Sequence, residues 1–297
     1  MSKTEKFGVY AADIEVFRRA RKALFGARAE SIREQSLEAA IMDLADDVAY
    51  SIHDLEDFAA AGVIDMTRVL GDLEDAQNLR RPGARGFEKS NSRDPFTREA
   101  VELDKRYKKL FSDDAYEEAL RSNASLLSQT LTNGSQLDGT KLAQFKETLS
   151  ERITSFFANL VVDSRPDYKD GPTVRLAPSD WHNMQVLKVI TRKYLIATPR
   201  MGTIQRAQTK TVERLFRGLT EWLASAPDIT SLPTGLQATL SLGEAAMPTK
   251  AVEKLSEKQL RAVADYICTM SDTEAALRAD WFSGVVIPGM SADVATI

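Results

Sequence analysis

Asp46, Tyr50 and Asp54 stand at i, i+4 and i+8 within the run IMDLADDVAYSIHDLED, residues 41–57. In an α-helix that spacing stacks the three side chains in one row, so a carboxylate, a phenol and a second carboxylate would face a single pocket. Such a set suits a sugar beside a metal-bound phosphate. The first acid can hold a divalent cation, the ring can pack against a deoxyribose, and the last acid can accept a hydrogen bond from a hydroxyl.

The helix that carries the row has an unusual charge pattern. At 100° per residue, Leu37, Ile41, Leu44, Val48, Ile52 and Leu55 form one stripe, and Asp43, Asp46, Asp47, Tyr50, Asp54 and Asp57 form the other. The first stripe is expected to be core. No Lys or Arg occurs between Arg33 and Arg68, so no neighbour along the helix neutralises the acids. Unfavourable aspartate propensity and like-charge repulsion together cost on the order of 3 to 5 kcal/mol. The carboxylates are therefore expected to meet a cation, ligand hydroxyls, or basic side chains brought by the fold. An acidic face paired with a basic neighbouring helix is the structural alternative.

Composition sets the frame. The chain has 297 residues, 43% hydrophobic and 28% charged, enough for one large domain or two small ones. A net charge of −4 does not indicate a dedicated nucleic-acid binder. The single Cys268 excludes an internal disulfide and fits a buried thiol in a reducing, cytoplasmic setting. The polar start reads as no signal peptide, and no apolar run approaches the ~18 residues that span a bilayer.

Nearly every patterned segment has helical period, and no alternating run suggests a sheet, so the expected class is all-α. Helix one is read at 12–25, with Ile14, Phe17 and Leu24 inward and Gly26 closing it. Helix two is expected to open on a Ser31/Glu34 capping box and to close at Gly62. A short segment follows at 66–73, then a basic loop at 80–95 that can be a surface excursion or a flap over an anion. Further helices are read at 98–111, 115–129, 141–160, 179–197, 201–224, 256–270 and 272–282, with a second loop at 163–178. The last helix follows a Ser271/Glu274 capping box. The divisions are 1–79 for the acidic-helix core, 80–95 for the loop, 96–283 for a C-terminal helical region, and 284–297 for a loose tail.

The runs MDLADDVAYSIHDLED, KFGVYAADIEVFRRAR and DYICTMSD resemble the dGTPase-like deoxynucleoside triphosphate triphosphohydrolases of the HD-domain phosphohydrolase superfamily, in an order that covers nearly the whole chain. The resemblance implies a multi-helical HD-type bundle, here partial. It implies a divalent metal such as Mg or Mn, and cleavage of a deoxynucleoside triphosphate to deoxynucleoside and triphosphate. It makes Asp46 a metal ligand, Tyr50 the ring beside the sugar, and Asp54 the carboxylate near the 3′-hydroxyl. Arg261, one turn before Asp265, is either a phosphate contact or an ion pair within its helix. Glu274 stands where such proteins often have a tyrosine.

In that family a His and a His-Asp pair complete the metal site, and their segment would precede Lys6. The sequence has two histidines. His53 adjoins Asp54, but adjacent helical residues point about 100° apart, so the pair is no ligand pair and His53 is read as lining the site or pairing an acid. His182, after Pro178, is read as a cap or packing residue. The basic set Lys188, Arg192, Lys193 is a solvated face, a partner for the acidic helix, or a triphosphate contact. The expected function is thus a truncated or split triphosphohydrolase that needs a partner chain or segment. The alternative is a non-catalytic nucleotide-binding or oligomerisation module. Homo-oligomerisation fits the resemblance, and neither a membrane nor nucleic acid is indicated.

Overall fold

Helix α7, Pro178–Thr191, is the centre of the unit that runs to Thr198, and its sequence shows why. Ten of its fourteen residues are buried, on all sides, as expected of a helix surrounded by others. The computed structural model describes residues 9–30, 35–80, 94–131, 139–162, 173–243 and 255–285. Within them the protein is helical apart from one small sheet. Two units are resolved, Met1–Thr198 and Pro199–Ile297.

The first unit contains α1 (Ile14–Phe25), α2 (Leu37–Ala60), α3 (Met66–Arg80), α4 (Pro95–Arg106), α5 (Asp113–Leu131), α6 (Gly139–Ala158) and α7. Helices α5 and α2 pack on α7, and α3 packs on α5. Val48, Ile52 and Leu55 of α2 are buried with Leu73, Phe96, Tyr116, Leu149 and Ile190. Asn123 of α5 donates to Asn183 of α7 at 3.0 Å, which ties the two helices by a buried polar contact. Each fully buried aliphatic side chain here contributes about 1.5–3 kcal/mol.

Helix α2 starts at Leu37, with Ser36 as N-cap accepting from the Ala39 N–H at 3.2 Å. Ser31 and Glu34, the expected capping box, lie outside the described residues. Its end is as read: the helix stops at Ala60, and Gly62 follows with φ of 64°, a left-handed conformation that glycine adopts without strain. The basic loop lies outside the described residues except at its edges, where α3 ends and Asp94 caps α4 through the Phe96 and Thr97 N–H groups.

Three expectations are corrected. Helix α1 buries none of its residues: Ile14 and Leu24 are exposed and Phe17 is only partly covered. Leu37 and Ile41 are 47% and 50% exposed, so the α2 stripe becomes core only from its middle onward. Residues 160–162 and 174–176 pair as antiparallel strands β1 (Leu160–Val162) and β2 (Val174–Leu176), where no sheet was expected. Strands of three residues are too short to display alternation.

The second unit holds α8 (Pro199–Ser225), α9 (Thr234–Leu242), α10 (Glu257–Cys268) and α11 (Asp272–Phe282). Leu219, Leu223, Leu236, Leu240, Val263 and Tyr266 form its core. Helix α10 opens on a full capping box, in which Ser256 accepts from the Gln259 N–H and the Gln259 side chain accepts from the Ser256 N–H. Cys268 is exposed at the end of α10 instead of buried. No helix among the described residues is long and apolar enough to cross a membrane.

Candidate functional site

The sequence of α2 folds its acids onto two neighbouring rows with different surroundings. Asp46, Tyr50 and Asp54 share one row, as their spacing requires, but the row is open. Asp46 is exposed and the Tyr50 ring is 60% exposed. None of the three residues lines the cavity that Asp43 and Asp47 face, so the pocket expected beside them is not found there. Asp54 is partly buried. Its burial and the nearby charge of Asp57 raise its carboxyl above the ordinary range, and His53 opposes that shift.

Asp43 and Asp47, on the adjacent row, face a cavity of about 620 Å³ between α2, α4, β2 and α7. Glu99 and Arg106 from α4, and Lys188 and Arg192 from α7 and the turn after it, also line it. Its aromatic wall is Tyr107 against Trp181, edge to face at 5.5 Å. Lys188 Nζ meets Asp47 Oδ2 at 2.6 Å, and Arg192 donates to Glu99. On the far turn of α2, Glu56 accepts from Lys146 of α6 at 2.7 Å. The acidic helix is thus neutralised at Asp47 and Glu56 by cations from α7 and α6. Among the described residues no ion pair reaches Asp46, Asp54 or Asp57.

The Lys188–Asp47 pair is half-buried, which makes it a measurable contributor. Lys188→Ala is expected to lower stability by about 0.5–1 kcal/mol, with a smaller loss at high salt. Urea midpoints at two salt concentrations check this, and an unchanged midpoint at low salt would contradict it.

His53 is exposed with Nδ1 4.0 Å from Glu56, an acid-pairing position and not a ligand one. His182 is fully buried at the start of α7. Its Nε2 accepts from the Ser112 N–H at 3.0 Å, and its Nδ1–H donates to the Pro178 carbonyl at 2.5 Å. Both nitrogens are used in packing, as read. Arg261, on α10 in the second unit, has Nε 3.6 Å from Asp265, the ion-pair option within its own helix. Among the described residues no group of three His, Cys, Asp or Glu side chains is placed to hold a metal ion.

Sequence reasoning missed Glu99, Arg106, Tyr107 and Trp181 as cavity residues, because their convergence depends on the packing of α4 against α7. The signals pointing that way were Asp43 and Asp47, one turn apart on the acidic face, and the basic set that includes Lys188 and Arg192.

Residues 174–280 match the family described as phosphohydrolase-associated domain. A protein of Shewanella oneidensis named deoxyguanosinetriphosphate triphosphohydrolase-like is 32% identical over 240 residues, 80% of this chain and 42% of that one. A protein of the same name from Streptomyces coelicolor is 29% identical over 277 residues, 91% of this chain and 55% of its own length. Over most of its length the chain is thus similar to proteins named dGTPase-like, and its second half matches a phosphohydrolase-associated domain. A third protein of that name, from Corynebacterium efficiens, is 42% identical over a shorter stretch of 82 residues, 28% of this chain and 18% of its own. The chain spans about half the length of the dGTPase-like relatives that match most of it.

Proposed function

We propose that this chain carries the sugar-recognition face of a metal-dependent deoxynucleoside triphosphate triphosphohydrolase, which cleaves a dNTP to deoxynucleoside and triphosphate. In this reading Tyr50 packs on the deoxyribose and Asp54 accepts a hydrogen bond from the 3′-hydroxyl. Asp46 is one ligand of a divalent cation such as Mg or Mn, whose other ligands come from additional protein. The residues present do not by themselves fit such an ion, because one carboxylate and water make a poor cage.

The observation that carries the reading is the similarity over most of this chain to relatives named triphosphohydrolase-like; the α2 row is open where an enclosed pocket was expected, so it fits the reading as a face that further protein covers. Asp46 and Tyr50 face solvent with Asp54 partly buried in register with them, on a helix whose first turns also leave Leu37, Ile41 and Met42 uncovered, the last at 69%. Apolar and acidic side chains left open together fit a surface that further protein covers. Roughly half of the length of those relatives lies outside the match.

Tyr50 offers a clean test because its exposure separates folding from binding. Tyr50→Ala is expected to leave the unfolding midpoint within about 0.5 kcal/mol of the wild type. In the assembled enzyme it is expected to weaken dGTP binding roughly tenfold, the scale of a lost aromatic packing contact. Calorimetric titration with dGTP and with ATP measures this. Binding that ignores both the 2′-hydroxyl and Tyr50→Ala would favour a non-catalytic nucleotide-binding module.

A further inference from the structure

The second unit holds a cavity that the dNTP reading does not use. It measures about 550 Å³ and lies between the end of α8, the start of α9 and the end of α11. Trp222, Trp281 and Phe282 line it, with Trp222 and Phe282 meeting edge to face at 6.3 Å. The charged side chain on its lining is Arg278.

Its walls are held by close packing. A Cβ at Gly218 would stand 2.4 Å from the Phe282 ring, and one at Gly235 would stand 2.5 Å from the Tyr266 ring. Glycine at both positions is what lets these rings seat. Tyr266, so placed, bonds the Arg278 guanidinium through its hydroxyl, while Glu274 accepts from Arg278 at 2.8 Å. The Arg278 side chain is 12% exposed, and it is fixed in orientation by these two contacts. Helix α9 starts after Pro233 without a side-chain cap, so its amide N–H end, with the positive end of its dipole, adjoins the same cavity at Thr234.

We propose that this cavity binds a small planar aromatic anion, its ring against Trp222 and Trp281 and its acidic group toward Arg278. The volume falls within the roughly 300–1,000 Å³ typical of small-molecule sites, and apolar walls with a few converging polar groups are their usual make-up. Rings supply the buried area, and the guanidinium selects acid over neutral. Glu274 shares that cation, which holds the charge preference to a moderate factor. The proposal is independent of the α2 row, since both walls and cation belong to the second unit.

The full chain labelled with 5-fluorotryptophan provides the test. Two of its three tryptophans line the cavity and Trp181 belongs to the first unit, so fluorine resonances assigned by single Trp→Phe changes report the site of binding. The probes are 2-naphthoate, the neutral 2-naphthylmethanol, acetate, and dGMP. Naphthoate is expected to shift the Trp222 and Trp281 signals but not Trp181, and to bind about tenfold tighter than the alcohol. Acetate is expected to shift none. Arg278→Gln should erase the acid preference. Trp222→Ala, at a partly exposed position that folding tolerates, should weaken naphthoate at least severalfold. Tighter binding of dGMP than naphthoate at the same signals would identify a nucleotide as the aromatic anion, and the reverse order a carboxylate. Equal binding of acid and alcohol, a response at Trp181 alone, or no response with any ring-bearing probe would overturn the proposal.

Discussion

Replacing His182 with alanine is expected to destabilise the first unit by about 3–4 kcal/mol, from the lost ring, the cavity left behind, and the Ser112 N–H deprived of its acceptor. The ring is fully buried, 4.8 Å from Trp181 edge to face, with Phe111 at 5.6 Å and Tyr116 at 6.4 Å. It holds the segment before α5 to the first turn of α7 through the Ser112 bond. Protonation should imitate part of the mutation. Burial holds the His182 pKa below its ordinary value, with the Pro178 hydrogen bond opposing. Below the unfolded value near pH 6.5, the unfolded chain binds a proton that the folded chain resists. Stability therefore falls as the pH drops from about 6.5 toward the lower folded value, and the contribution is fully present above that window. Urea midpoints measured across this range should fall toward acid in the wild type and lose that component in His182→Ala. A variant whose stability and pH profile match the wild type would contradict the role given to the ring.

Asp46→Asn is expected to abolish turnover in the assembled enzyme, by a factor on the order of 10² to 10⁴, since metal-assisted charge stabilisation is worth several kcal/mol. The same change should leave folding untouched, because Asp46 is exposed and makes no ion pair among the described residues. Removing one of seven like charges on α2 should if anything stabilise the isolated helix slightly. Opposite signs for stability and activity would distinguish a site residue from a structural one. Asp47→Asn is the control: it breaks the pair with Lys188 and is expected to lower stability slightly while leaving catalysis largely intact.

Much of α2 was legible in its residues. Its period located the helix, Gly62 located its end, and Val48, Ile52 and Leu55 are core as their spacing required. Periodicity reports which residues share a face, however, and not what covers that face. Leu37 and Ile41 continue the stripe of Val48 and Ile52 yet stay exposed, and the Asp46 row faces solvent where an enclosed pocket was expected. The partners of the acids were visible only as alternatives: Lys188 was a candidate partner for the helix, but its meeting with Asp47 depends on the packing of α2 on α7. Helix α9 escaped notice because Pro233 and Gly235 mark a turn in sequence, and its nine residues are too few for a strong period. In three dimensions the same Gly235 makes room for Tyr266. Cys268 was misplaced for a related reason, since the last residue of a helix follows the local end geometry more than the apolar stripe.

The most direct measurement is the release of deoxynucleoside and triphosphate from dGTP with Mg²⁺ or Mn²⁺. It is made on this chain alone and on this chain supplied in trans with the part of the Shewanella oneidensis relative outside the matched region. The expected result is no release above the buffer rate for the chain alone, and metal-dependent release by the mixture that disappears with Asp46→Asn. Metal-dependent turnover by the chain alone, or turnover by the mixture that survives Asp46→Asn, would contradict the assignment of the α2 row as one part of a shared site.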